Sequence, residues 1–182
     1  MSTKLISINP TNLEIVNSYD IHDESEVSNI ILRTSKIQNE WRKRDLDFRL
    51  TCLEKISIIL NDNCNYYAKL MASEMGKPVK QGFSEIEKCI SLCKYYQKKS
   101  KETLLKKDIE TENFKSYVSF EPLGLILGIM PWNFPFWQVF RFAIPSLITG
   151  NGVILKHASN VQGCAHALEE IFQKSGCPKN LF

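Results

Sequence analysis

The sequence predicts an α/β fold: an N-terminal helical layer followed by the first strands and helices of an incomplete parallel sheet. Three observations carry this. Apolar residues recur at helical spacing from Asp23 to about Leu104, in four successive segments. Two short, nearly continuous apolar runs, Leu125–Met130 and Val153–Lys156, read as buried strands of the parallel kind. Each run is followed by an amphipathic helical stretch, and strand, helix, strand, helix is the order of a parallel α/β unit just begun.

Taken in order, Lys4–Asn9 alternates weakly and predicts a short strand, ended by the turn signal Asn9-Pro10-Thr11-Asn12. From Asp23 to Lys43, Val27, Ile30, Ile31, Ile37 and Trp41 mark a helix behind an acidic first turn. Leu46, Leu50, Leu53, Ile56 and Leu60 form the stripe of a second helix over Asp45–Asn61. A third helix, Asn63–Met75, is stopped by Gly76 and Pro78. A fourth runs from Val79 to about Leu104 with Phe83, Ile86, Ile90, Cys93 and Tyr96 inward. Beyond Asn113 the character changes: Phe114–Phe120 reads as extended and Glu121–Gly124 as a turn into the first parallel strand. Pro135 suits the first position of the next helix, and Pro145 is expected to kink it. Gly150-Asn151-Gly152 closes that helix, and a last one spans Val161–Ser175 before Gly176 and Pro178.

Composition excludes several function classes. A net charge of +3 over 182 residues is too mild to argue for nucleic acid, and the densest basic stretch, Lys94–Lys107, is interleaved with Glu102, Leu104 and Leu105 as a solvated helix face would be. The longest apolar stretches are broken by Gly, Pro, Gln and Arg and fall short of the roughly 20 residues of a membrane span. No secretory signal is visible, so a cytoplasmic location is expected, with the six cysteines as free thiols. Cys89 and Cys93 share a helix face, but without a second Cys/His pair they read as core and no metal site is expected.

Chemistry concentrates at Pro131-Trp132-Asn133-Phe134-Pro135. Two prolines stiffen a turn that must present one amide side chain in a fixed direction, directly after a parallel strand. Asn133 has two readings: an uncharged donor that polarises a carbonyl, or a cap on the helix that follows. Gly124 and Gly128 do not form the glycine-rich phosphate fingerprint, so a nucleotide on this sheet would be bound without it.

The stretch Glu121-Pro122-Leu123-Gly124, then Met130 to Pro135, then Thr149-Gly150-Asn151-Gly152-Val153-Ile154-Leu155-Lys156 resembles the aldehyde dehydrogenase superfamily, as do Ile8-Asn9-Pro10 and Glu74-Met75-Gly76-Lys77-Pro78. Within it, Leu155–Val161 followed by Gly163-Cys164 looks most like bacterial succinate-semialdehyde dehydrogenases of the Sad type. The resemblance implies a truncated form of that fold. Residues 1–112 would form the helical part of the cofactor-binding domain and 113–182 the start of its Rossmann-like region.

The resemblance also assigns roles. Asn133 is the catalytic oxyanion donor, and Lys156 binds the adenosine ribose of NAD or NADP. Ser159 stands where NAD-preferring members carry Glu and leaves room for a 2′-phosphate, which tilts the cofactor towards NADP or dual use. Met130, Pro131 and Trp132 line the nicotinamide-ribose side, although Met130 and Trp132 also suit plain packing. Phe134 and Arg141 face the substrate; Arg141, two helical turns past Asn133, would hold a carboxylate bidentately or else be a snorkelling surface Arg.

The family's nucleophilic Cys and general-base Glu belong downstream of the Lys156 region, and none of the six cysteines stands in such a context. The expectation is therefore a chain that lacks the catalytic domain and is inactive alone. Its partner is a small aldehyde, succinate semialdehyde, with no nucleic acid and no membrane. The alternative is a non-catalytic truncated gene product, or an interaction fragment that binds a partner or another copy of itself through an exposed sheet edge.

Overall fold

The computed structural model describes residues 4–112 and 115–182. Its elements are β1 (Lys4–Ile8), β2 (Ile15–Asp20), α1 (Glu24–Trp41), α2 (Leu46–Asp62), α3 (Cys64–Met75), α4 (Val79–Leu104), β3 (Lys107–Ile109), β4 (Ser116–Val118), β5 (Leu125–Met130), α5 (Trp137–Ile148), β6 (Gly152–His157) and α6 (Gln162–Lys174). The helical layer follows the apolar stripes. Asp23 and Asp45 cap α1 and α2 by accepting from the backbone N–H groups of Glu26 and Phe48. Gly76, at φ 72°, ends α3 in the left-handed conformation that favours glycine.

Two strands escaped the sequence reading. β2 pairs antiparallel with β1, with an irregularity at Ser7/Ile8, and β3 pairs with β4. Both missed strands are short, largely polar and solvent-exposed, so neither carries the apolar alternation that marks a strand. Part of the predicted extended segment, Asn113 and Phe114, lies outside the described residues.

The parallel pair is as expected. β5 and β6 run side by side in register from Leu125 opposite Gly152 to Met130 opposite His157. Alternation along β5 turns Gly128 onto the Phe142 ring of α5, and that packing has no room for a side chain: a Cβ on Gly128 would lie 2.1 Å from the ring. The opposite face is covered by α1 only at its start, where Gly152 meets Thr34 and Gln38. Leu127 and Ile129, further along that face, stay 61% and 69% exposed.

One buried cluster runs from Trp41 and α2 through α4, α5 and α6 to Leu181, so α5 is embedded rather than laid on a surface. Its C-terminal carbonyls are claimed by α1: Trp41 Nε1 donates to Leu147 at 2.8 Å and Gln38 Nε2 to Gly150 at 2.9 Å. The helix continues through Pro145 to Ile148. It begins at Trp137, two residues later than Pro135 suggested, for a reason that lies in the site. Among the described residues no helix is long and apolar enough to cross a membrane.

Candidate functional site

The C-terminal ends of β5 and β6 meet at one edge of the sheet, the edge where open parallel sheets bind ligands. Met130 ends β5, half-buried, and the Pro131–Pro135 turn follows directly. Pro131, Trp132, Asn133 and Phe134 all stand exposed there. On the neighbouring strand Lys156 lies opposite Ile129, exposed, and Ser159 follows two residues beyond the strand end, also exposed. Among the described residues Lys156 has no ion-pair partner. Two uncommitted donors at this position fit a ribose hydroxyl or a phosphate.

The turn is held from beneath by three buried polar side chains. Glu85 of α4 accepts from the backbone N–H groups of Phe136 and Trp137, both at 2.9 Å, satisfying the first donors of α5. Lys77, after α3, ion-pairs with Glu85 and sets its ammonium 4.1 Å from the centre of the Phe134 ring. Both partners are almost fully buried, an arrangement tolerated only because each charge has the other. From β6, His157 Nε2 lies 3.0 Å from the Pro135 carbonyl oxygen, while its Nδ1 accepts from the Ala158 N–H at 2.9 Å. With Nδ1 an acceptor, the proton sits on Nε2 and is donated to Pro135. Burial lowers the pKa of His157, which favours this neutral form.

These contacts explain the late start of α5. The carbonyls of Phe134 and Phe136 accept from Gln138 and Phe140, but the Pro135 carbonyl between them is turned to His157. They also set aside the helix-cap reading of Asn133. The helix N-terminus is capped by Glu85, and the Asn133 side chain has no hydrogen-bond partner among the described residues. The amide is exposed and uncommitted.

Arg141 lies on the exposed side of α5, its guanidinium 6.0 Å from the Trp137 ring; Lys88 approaches the same ring at 4.3 Å. A shallow cleft of about 380 Å³ beside the turn is lined by Trp132, Ile6, Ile8, Met75 and Asn160, among others, but not by Arg141. The structure thus gathers Met130–Phe134, Lys156 and Ser159 at one sheet edge and leaves Arg141 on the flank of the next helix.

Sequence reasoning missed Glu85, Lys77 and His157. One signal was available: Glu85 stands one and two turns before Cys89 and Cys93, and so shares the buried stripe of α4. Glu74 acts alike at the next helix, accepting from Gly163 and Cys164 N–H at 2.8 and 2.9 Å and from Ser7 Oγ at 2.7 Å.

All the thiols but Cys52 are shifted upwards in pKa. Burial pushes Cys89 and Cys164 well up and Cys93 up to about 12, and raises Cys64. Cys177, which hydrogen-bonds Cys52, is raised, and the same bond lowers Cys52; both are buried.

The chain as a whole finds counterparts among known proteins. The model of the aldehyde dehydrogenase family matches residues 1–182. The chain belongs to the aldehyde dehydrogenase family. It is 40% identical over 178 residues to a probable succinate-semialdehyde dehydrogenase (NADP(+)) of Synechocystis sp., covering 98% of this chain and 39% of that protein. It is 35% identical over 181 residues to the succinate semialdehyde dehydrogenase (NAD(P)+) Sad of Escherichia coli, covering 100% and 39%. Among solved structures, Gox0499 superposes with a TM-score of 0.94 at 30% identity, covering 99% of this chain and 40% of that one. Succinic semialdehyde dehydrogenase from Streptococcus pyogenes, in complex with NADP+, gives 0.90 at 29% identity, covering 99% and 39%. The chain therefore has the α/β fold of the N-terminal part of aldehyde dehydrogenases and spans about two-fifths of the length of these relatives.

Proposed function

We propose that this chain is the N-terminal part of an NAD(P)-dependent aldehyde dehydrogenase that oxidises succinate semialdehyde to succinate. The observation that supports it most is the free Asn133 amide standing at the strand edge that also carries Lys156. Asn133 donates to the aldehyde oxygen as negative charge develops under attack by a thiolate. Lys156 holds the adenosine ribose. Ser159, short and uncharged, leaves room for a 2′-phosphate and favours NADP or dual use. The nicotinamide, when bound, supplies the hydride acceptor, and the Met130–Trp132 backbone orients it. Phe134 lines the substrate side and Arg141 takes the distal carboxylate, which fits an acid-bearing aldehyde such as those named for the relatives. In this division residues 113–182 present the site and residues 1–112 support it from below.

On this reading the attacking thiolate comes from outside these 182 residues, a view supported by the burial of five of the six thiols here and the raised pKa of the sixth. The isolated chain is accordingly expected to give no reduced-cofactor absorbance with succinate semialdehyde and NAD or NADP. A soluble chimera joining these residues to the remainder of the Escherichia coli relative is expected to oxidise that aldehyde. Turnover by the isolated chain, or a folded chimera without activity on succinate semialdehyde, overturns the corresponding half of the reading.

A second reading, self-association, is favoured by the bare face of β5, where Leu127 and Ile129 stand exposed beside an edge that pairs with no strand among the described residues. It concerns the isolated chain and is compatible with the first.

A further inference from the structure

We propose that Glu85 and His157 are positioning residues for Asn133: they fix the Pro131–Pro135 turn from opposite sides so that the Asn133 amide is held out, free and pre-aimed. The proposal rests on the reading of Asn133 as the oxyanion donor.

The argument starts from what a five-residue turn needs. An exposed Asn on a mobile turn would spend most of its time misdirected, and a donor pays back in rate only if it is already oriented when charge develops. Two prolines restrict two φ angles but leave the turn free to swing about its ends. The structure anchors it on both sides. On the α4 side, the Glu85 carboxylate takes the two N–H groups just after the turn, those of Phe136 and Trp137. On the β6 side, His157 Nε2–H takes the carbonyl of Pro135, the last residue of the turn. Both anchors are buried, at 3% and 4% exposure, so water does not compete for the bonds.

The division of labour follows from the chemistry of a helix start. The first donors of α5 require an acceptor, and the nearest short polar side chain is Asn133 itself, a residue type that favours that role. Were Asn133 to cap the helix, its side-chain oxygen would fold back and its amide would turn with it. Glu85 fills the requirement from a different helix and releases Asn133 from it. Lys77 ion-pairs with Glu85 from the other side, and its ammonium also meets the Phe134 ring, the residue next to Asn133. His157 then withdraws the Pro135 carbonyl from the helical ladder, which sets where the turn stops and the helix begins.

The test is nuclear magnetic resonance on the 182-residue chain, reading the Asn133 side-chain amide, the Trp132 indole N–H and amide exchange at Phe136 and Trp137. In the unmodified chain the Phe136 and Trp137 amides are expected to exchange far more slowly than an open helix start. His157→Ala should broaden or shift the Asn133 and Trp132 signals while the rest of the spectrum stays folded. His157→Gln, which restores an N–H donor to Pro135, should bring them back. Glu85→Gln keeps an acceptor but loses the charge, and should raise exchange at Phe136 and Trp137 by roughly tenfold. Fast exchange in the unmodified chain, or Asn133 and Trp132 signals indifferent to His157→Ala in a folded protein, overturns the proposal; the first of these needs no variant to fold. Because none of these measurements reads turnover, an inactive chimera with an ordered turn would sink the catalytic reading and leave the positioning intact.

Discussion

At the scale of single residues, the helix-capping role that is one of the two readings of Asn133 falls to Glu85 instead. Glu85 is buried against the start of α5, and the Asn133 side chain is exposed with no hydrogen-bond partner among the described residues. Two consequences separate the roles. Asn133→Ala should change the stability of the chain by less than about 0.5 kcal/mol, as for an ordinary surface site, whereas loss of a helix cap would cost about 1 kcal/mol. In the active chimera the same change should lower turnover roughly a hundredfold, the usual cost of losing one oxyanion donor. Denaturant titration and steady-state kinetics on the one variant check both halves. A clear loss of stability would return Asn133 to the helix. The motif was legible because Pro-Trp-Asn-Phe-Pro is rare and compact. Its support was not, because Glu85, Lys77 and His157 come from three separate elements and meet only when α4 packs against α5.

At the scale of elements, helices were legible and minor strands were not. The bounds of α3 and α4 followed from Gly76, Pro78 and uninterrupted apolar stripes, features written in consecutive residues. β2 and β3 depend on a partner strand for their existence, so their own residues carry little pattern. Gly128 shows the intermediate case. Its place in an apolar run marked it as strand, but the reason for glycine appears only when α5 lays Phe142 across it. Adding a methyl there forces the ring aside or the strand away, and overpacking of this kind costs about 1–3 kcal/mol. Gly128→Ala should therefore lower the denaturation midpoint. Pairing it with Phe142→Leu, which clears the volume of the ring, should recover more than the sum of the two single effects allows. A strictly additive double-mutant cycle would show that β5 and α5 are not coupled through this contact.

At the scale of the whole molecule, the sheet is the unbalanced part. α5 covers one face of the β5–β6 pair along its length, while α1 covers the other only at its start, and the result is an apolar strip with Leu127 and Ile129 at its centre. The outer edge of β5 has no strand partner among the described residues, so backbone donors and acceptors lie next to exposed side chains that water solvates poorly. An apolar strip with an open edge is the arrangement that favours strand-to-strand association. The isolated chain is therefore expected to associate as concentration rises, visible as increasing mass in size-exclusion chromatography with light scattering. Leu127→Lys should shift that equilibrium towards the monomer with little loss of stability, because Leu127 is exposed and stands opposite Ile154 rather than a charged residue. Ile129 is the poorer place for the charge, since it stands opposite Lys156. Salt should not reverse the association of the unmodified chain, since it is driven by apolar burial rather than by its small net charge of +3. A chain that stays monomeric at high concentration, or a Leu127→Lys variant that associates as readily, would place the contact elsewhere.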